Sequence, residues 1–278
     1  MAFFTRGRPR VFAHRGGSAL GPENTLAAFD RGMRAGADGL ELDVHLSADG
    51  VPVVFHDRTL ERTTNATGPV AARTAAELAR VDAGWHFQDA EGRHPFRGQG
   101  VGVPTLEEVL SRFRGVPIII EMKVDSDAFG ARVAEVIRAA NAVASVCAAG
   151  YGPHSAAAVR RALPEVAASA CHSEVRWALY RSWARWPVSA PAYGGYQVPE
   201  YAGRIRIVSP RFIADAHAAG LEVQIWTVDE PDEMRRYLAW GADALISNRP
   251  DLAVAVRDAM RGAPVARASA PVTASSMP

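Results

Sequence analysis

The chain has 278 residues, 48% of them hydrophobic, which suffices for a large core and fits either two average domains or one α/β barrel. Lys and Arg number 31 against 30 Asp and Glu, so the clustered basic excess of a nucleic-acid binder is missing. No apolar stretch approaches the roughly 20 residues that cross a bilayer, and the start M-A-F-F-T-R-G-R-P-R lacks the apolar segment of a signal peptide, so a cytoplasmic protein is expected.

Short apolar runs alternate with helical patterns along the chain. V-F-A-H (11–14) is a strand, followed by a helix from about Asn24, capped by Asn24 or Thr25, with Leu26, Phe29 and Met33 on one face. G-L-E-L-D-V (39–44) and P-V-V-F-H (52–56) are the next strands. The Gly-rich stretch Ala83–Pro104 follows, expected near the catalytic face either as a solvated loop or as a rim that shapes the pocket. Thr105 and Glu108 have capping-box spacing at the start of a helix. P-I-I-I-E-M-K (117–123) is a strand and 127–140 a helix. S-V-C-A-A, V-A-A-S-A, E-V-Q-I-W-T-V and A-L-I-S complete the strands, with A-Y-G-G-Y-Q-V-P and R-I-R-I-V read as connecting segments.

Eight strands joined by helical crossovers predict a single-domain TIM-type (β/α)8 barrel with a Gly-rich loop insertion after the third strand. The rival is a doubly wound open sheet, but G-x-G-x-x-G and Walker-type loops are missing, which weighs against its nucleotide-binding versions. Residues 1–10 read as an extension, 11–262 as the barrel, and 263–278 as a small, polar, Pro-containing tail expected to be disordered. Cys147 and Cys171 follow no metal-ligand spacing and are expected to be reduced, buried thiols.

The polar residues at strand ends carry the chemistry. In a parallel barrel such positions gather on the carboxyl-terminal face. Alternation along a strand points Glu41 and Asp43 one way, with Leu40, Leu42 and Val44 turned to the helices. It pairs Glu121 with Lys123 and Gln224 with Trp226 in the same manner. If Glu41, Asp43 and Glu121 converge to about 4 Å, each pair repels by roughly 4 kcal/mol at an effective dielectric near 20. Lys123 alone cannot offset three such repulsions, so either a proton is retained or a cation binds. Hard oxygen ligands suit one divalent cation, Mg2+ or Ca2+; the alternative is an internal ion-pair network with Arg15 and Lys123. His14 and His56 each end an apolar strand. They could be metal ligands, core histidines or proton carriers, and a catalytic acid/base pair is the favoured reading. His45 shares the parity of Glu41 and Asp43, His86 and His94 lie in the Gly-rich loop, and His154, His172 and His217 read as helix-terminal or surface positions.

H-R-G (14–16), P-E-N-T (22–25), E-L-D-V (41–44), H-D (56–57), E-M-K (121–123), W-T-V (226–228) and S-N-R-P-D (247–251) occur in this order. The ordered set resembles the glycerophosphodiester phosphodiesterase family from about Val11 to about Asp251. The resemblance implies that His14 and His56 are the acid/base pair. It implies that Glu41, Asp43 and Glu121 are ligands of a divalent cation, that Arg15 and Lys123 are phosphate contacts, and that Trp226 is the aromatic residue beside the glycerol. Glu23 and Asn24 match a supporting element. Two positions depart from the pattern: Asp229 stands where the family often has Asn, and Ser247–Asn248 where it often has Thr–Asp. The implied reaction is metal-dependent hydrolysis of a small glycerophosphodiester to glycerol 3-phosphate and an alcohol. The alternatives are lysophospholipase D-type hydrolysis at a membrane surface and a non-catalytic barrel that binds a phosphodiester. The first alternative draws on Trp177, Tyr180, Trp183 and Trp186 with interleaved arginines, either a peripheral membrane belt or rings of an outer helix packed on the sheet.

Overall fold

The computed structural model describes residues 3–5, 7–150, 152–186 and 191–262. The expectation for the 263–278 tail lies outside the described residues. Parallel strands β1 (Arg10–Ala13), β2 (Gly39–Leu46), β4 (Ile118–Met122), β5 (Val146–Gly150), β6 (Ala167–Ala168), β7 (Gly195–Val198), β10 (Glu222–Ile225) and β11 (Ala244–Ser247) pair in the order β6-β5-β4-β2-β1-β11-β10-β7. A parallel bridge from Ser169 to Gly195 joins the two ends, with Ala170 N–H donating to the Gly195 carbonyl. The sheet is thus an eight-stranded TIM-type barrel with helices between its strands.

The count of eight is right, but its membership is not. β3 (Pro52–Val54) is no barrel strand: it folds back antiparallel on the far end of β2, with His45 opposite Val53. The strand missed in the sequence is β7, inside the segment read as a connector. It pairs with β10 over four residues, Gly195 to Val198. The hairpin explains why P-V-V looks like a buried strand. Val53 joins Phe55, Leu60, Val70, Leu78 and Val103 in a separate apolar cluster under the long excursion that follows. That excursion carries α2 (Ala75–Leu78) and the Gly-rich stretch.

The outer layer is built from α1 (Leu26–Arg34), α3 (Leu106–Arg112), α4 (Asp127–Ala139), α5 (Pro153–Ala162), α6 (His172–Ala184), α7 (Pro210–Ala218), α8 (Pro231–Trp240) and α9 (Pro250–Gly262). Thr25 caps α1 by accepting from Ala28 N–H, and Thr105 with Glu108 forms the expected capping box on α3. Leu40, Leu42 and Val44 face these helices in one large cluster with Phe29, Ile118, Ile120 and Met122. A second cluster, around Tyr196, Val198, Val223 and Ile225, backs β7 and β10. Inside the barrel, a smaller plug of Phe3, Phe12, Ile119, Cys147, Ala244 and Ile246 fills the space beneath the site, with Ile119 and Ile246 reaching the cavity itself. Gly39 is required there, because a Cβ would lie 2.6 Å from the Phe12 ring and 2.4 Å from the Pro117 carbonyl oxygen. The N-terminal extension therefore contributes Phe3 to the core. Both cysteines are free and buried, and burial pushes the Cys147 thiol up. A short hairpin, β8 (Tyr201–Ala202) with β9 (Ile205–Arg206), stands off the barrel.

Candidate active site

The strand register builds an acidic cluster. β2 and β4 pair with Asp43 beside Glu121 and Glu41 beside Ile119, so all three carboxylates project into the mouth of the barrel. One oxygen from each lies within 4.8 Å of the others. Glu41 and Asp43 are buried. Across the cluster, Lys123 Nζ lies 2.8 Å from Asp43 Oδ1 and 3.0 Å from Glu121 Oε2, and Arg15 Nε lies 3.2 Å from Asp43 Oδ2. Arg15 N–H donates to Glu41 at 3.0 Å.

This backbone contact depends on a tight turn after β1. Arg15 has φ 51° and Gly16 φ 87°, both left-handed. A Cβ on Gly16 would sit 2.7 Å from the Phe29 amide nitrogen, so glycine alone lets the turn seat against α1. Asn24, with φ 59°, then donates to Asp43 Oδ2 at 2.9 Å and accepts from Asp43 N–H at 3.2 Å.

The charge balance follows from these contacts. Two cations, Arg15 and Lys123, face three carboxylates, and Arg15 also serves Glu23 at 3.0 Å. Burial, with the charges of Asp43 and Glu121 added, raises Glu41 well above the usual carboxylate range, and Arg15 offsets only part of this. Burial works to raise Asp43 too, but Lys123 and Arg15 outweigh it and hold that carboxyl low. An oxygen-rich set with one negative charge in excess fits a hard divalent cation, which would take the place of the Glu41 proton.

The histidines face this cluster from two loops. His14 follows β1, with Nε2 3.8 Å from Glu41 Oε2 and Nδ1 2.6 Å from Asn248 Oδ1. Asn248 is held in turn: its Nδ2 donates to Asp229 at 2.7 Å, its backbone N–H donates to Asp229 at 2.8 Å, and Ser18 Oγ donates to its Oδ1 at 2.5 Å. With the amide oriented this way, Nδ1 of His14 carries the proton and Nε2 looks into the pocket. Burial and the neighbouring Arg15 lower the pKa of His14. His56 reaches the mouth because the chain leaving β3 runs back along β2, with Phe55 N–H donating to the Asp43 carbonyl at 2.9 Å. Its Nδ1 lies 2.5 Å from Asp57 Oδ1. Arg62 links Asp57, at 2.6 Å, to Glu23, at 2.7 Å. An alternating chain of charge therefore runs from Lys123 through Asp43, Arg15, Glu23, Arg62 and Asp57 to His56.

One cavity of about 270 Å³ brings together His14, Arg15, Glu41, His56, Glu121, Lys123 and Trp226, with Asp43 in the layer just beneath. His45 is not among the lining residues: it is buried, and its Nε2 lies 2.9 Å from the His56 carbonyl oxygen, supporting the loop. Sequence reasoning missed three residues that line the far side: Ser169, His172 and Gln197. Gln197 went unseen because its strand was read as a connector, although Tyr196 and Val198 on either side face the core and mark the alternation. It donates to Gln224 at 3.0 Å. His172 is the first residue of α6, which brings it to the rim. The Gly-rich stretch does not line this cavity. Its Ala83, His86 and Phe87 flank a smaller cleft beside Glu23 and Arg62.

Residues 14–252 match the Glycerophosphoryl diester phosphodiesterase family. A protein of Caldanaerobacter subterraneus subsp. tengcongensis named glycerophosphodiester phosphodiesterase is 30% identical over 246 residues, covering 87% of this chain and 94% of that one. Among solved structures, the glycerophosphoryl diester phosphodiesterase domain of an uncharacterized Mycobacterium tuberculosis protein superposes with a TM-score of 0.78 over 91% of this chain and 100% of that one; at 22% identity this likeness is one of fold. An Oleispira antarctica phosphodiesterase, solved in complex with the product sn-glycerol-3-phosphate, is 26% identical with a TM-score of 0.70, covering 90% of this chain and 97% of that one. A match that begins at His14 and runs past Asn248 takes in every side chain of the pocket just described, and the chain belongs to the glycerophosphoryl diester phosphodiesterase family.

Proposed function

We propose that this chain hydrolyses glycerophosphodiesters to glycerol 3-phosphate and an alcohol, using one divalent cation and the pair His14 and His56. The observation that carries the reading is the cavity itself: two imidazoles, each with Nδ1 tied back, face three clustered carboxylates and two cations in one barrel mouth. Glu41, Asp43 and Glu121 would hold the cation. When bound, it stabilises the charge that builds on the non-bridging phosphoryl oxygens.

Arg15 and Lys123 bring further positive charge to the phosphate, and Trp226 with Ile246 offers an apolar wall to the glycerol carbons. The two histidines divide the proton work. Behind His14 stands a neutral amide, which fixes the tautomer and leaves a basic Nε2 in the pocket; His14 takes a proton from the attacking water as its oxygen bonds to phosphorus. Behind His56 stands a carboxylate, which balances a positively charged ring; His56 gives its proton to the departing alcohol as the P–O bond breaks.

The test is a coupled assay for glycerol 3-phosphate released from glycerophosphocholine, glycerophosphoethanolamine and glycerophosphoglycerol. Release should stop in EDTA and return with Mg2+ or Ca2+. Tight binding of the diester without turnover under every divalent cation would instead make the barrel a phosphodiester binder.

A further inference from the structure

Among the described residues, four of the nine large apolar side chains left exposed stand on or just beyond one helix, α6: Trp177, Tyr180, Trp183 and Trp186. Their exposure runs from 46% to 74%, so they are not the core-packing rings of an outer barrel helix. The core side of α6 is made by Val175, Ala178, Leu179 and Ser182. Trp177, Tyr180 and Trp183 recur every three residues and form a continuous ladder, with ring centroids 6.1 and 5.7 Å apart. Trp186 extends it past the left-handed C-cap Arg185.

Arg176, Arg181 and Arg185 are interleaved with the rings. Arg176 and Arg185 are exposed and make no ion pair among the described residues. The acids at hand are already engaged: Glu174 by Arg160 at 2.8 and 3.0 Å, and Asp215 by Ser182 at 2.6 Å and Arg211 at 3.7 Å. The face is thus aromatic and positively charged.

The geometry points to an anionic phospholipid surface as the occupant of this face. Trp and Tyr rings lodge at headgroup depth because each has an apolar body and a polar edge, while arginine heads meet lipid phosphates. A second copy is a poorer occupant, since a two-fold interface on this face would set arginines against arginines. The helix also begins at the active-site rim, where His172 lines the cavity. The rings run away from that rim, to Trp186 beside Ala218 and Ala219 at the end of α7, so docking would lay this flank of the barrel along the bilayer. The docking claim rests on α6 alone and not on the chemistry proposed above.

Co-sedimentation of the full chain with vesicles tests it, using equal parts phosphatidylcholine and phosphatidylglycerol against phosphatidylcholine alone. The wild type should pellet with the anionic vesicles and be released by salt. Trp177→Ala/Trp183→Ala and Arg176→Gln/Arg185→Gln should each weaken binding by at least about tenfold. Both variants alter exposed positions, so hydrolysis of soluble glycerophosphocholine should match the wild type. Wild type that stays in solution with both vesicle types, or variants that bind as tightly as wild type, would overturn the proposal. So would a dimer in solution that Trp177→Ala/Trp183→Ala dissociates, because the face would then belong to a second copy.

Discussion

The two walls of the barrel mouth are built from the same kind of strand and could hardly differ more in chemistry. The wall formed by β1, β2 and β4 with their loops holds His14, Arg15, Glu41, Asp43, Glu121 and Lys123, a dense set of paired charges. The wall formed by β5, β6, β7, β10 and β11 presents Ala149, Ser169, Gln197, Trp226 and Ile246, with His172 its one titratable side chain. A phosphodiester has a matching asymmetry: every substrate of the class shares the phosphate, and the alcohol varies. The charged wall fits the invariant part, where geometry must be exact to fractions of an ångström. On the neutral wall, Trp226 and Ile246 would meet the glycerol carbons, and Ser169, His172 and Gln197 would meet the variable alcohol, where shape decides.

Removing a proton carrier should break the charged wall hardest. His14→Ala and His56→Ala are each expected to lower turnover by about 10²–10⁴-fold with little change in KM. The two separate on a diester whose leaving group is p-nitrophenol. That group departs without protonation, so His56→Ala should recover most of its rate and His14→Ala should not. Equal losses on both substrates would undo the division of roles.

The support behind His14 should matter less, and in a telling pattern. Asn248→Asp sets a carboxylate against Asp229 at the present 2.7 Å contact, and Asp229→Asn leaves two amides. Each is expected to lower turnover by about tenfold, and the double exchange Asp229→Asn/Asn248→Asp to recover much of it by restoring one acid and one amide. Strict additivity of the two losses would show that the pair does not act as a unit. On the neutral wall, Gln197→Ala and His172→Ala should shift the preference among choline, ethanolamine and glycerol diesters by only a few-fold, on the order of 1 kcal/mol, and leave turnover of the best substrate intact. A loss as large as that of a histidine variant would erase the contrast between the walls.

The smallest effect is on stability. Without a cation, the fold holds the Glu41 proton more tightly than the unfolded chain does. Its contribution is present below the ordinary glutamate range and is lost as pH rises toward the raised Glu41 value. In EDTA, the thermal midpoint of the wild type should therefore decline more than that of Glu41→Gln as pH rises above the ordinary glutamate value of about 4.3. Parallel curves would place the excess charge elsewhere.

How much of this was legible in the sequence differs between the walls. Glu41 and Asp43 stood out by alternating with Leu40, Leu42 and Val44, and Glu121 by sharing a face with Lys123, because a carboxylate on the inner face of a barrel strand must be paired or used. Gln197 sends a weaker signal: an amide between Tyr and Val, on a strand opened by glycines that resemble a turn. β3 misled for the opposite reason, since a hairpin buried under an insertion is as apolar as a barrel strand, and no periodicity distinguishes them. The departures at Asp229 and Asn248 were visible, but not that the two side chains touch. Only the fold shows that Asp229 and Asn248 form one hydrogen-bonded pair of acid and amide. The rings of α6 could be read either way from spacing alone, and their exposure decides against core packing.

The charged wall is best probed by calorimetric titration of the chelator-stripped protein with Mg2+ and, separately, Ca2+. Saturable uptake at one site is expected for at least one cation. Its heat should depend on the ionisation enthalpy of the buffer, because binding displaces the Glu41 proton, and uptake should be lost in Asp43→Asn. No uptake by the wild type, or equal uptake by Asp43→Asn, would contradict the assignment of Glu41, Asp43 and Glu121 as the cation's ligands.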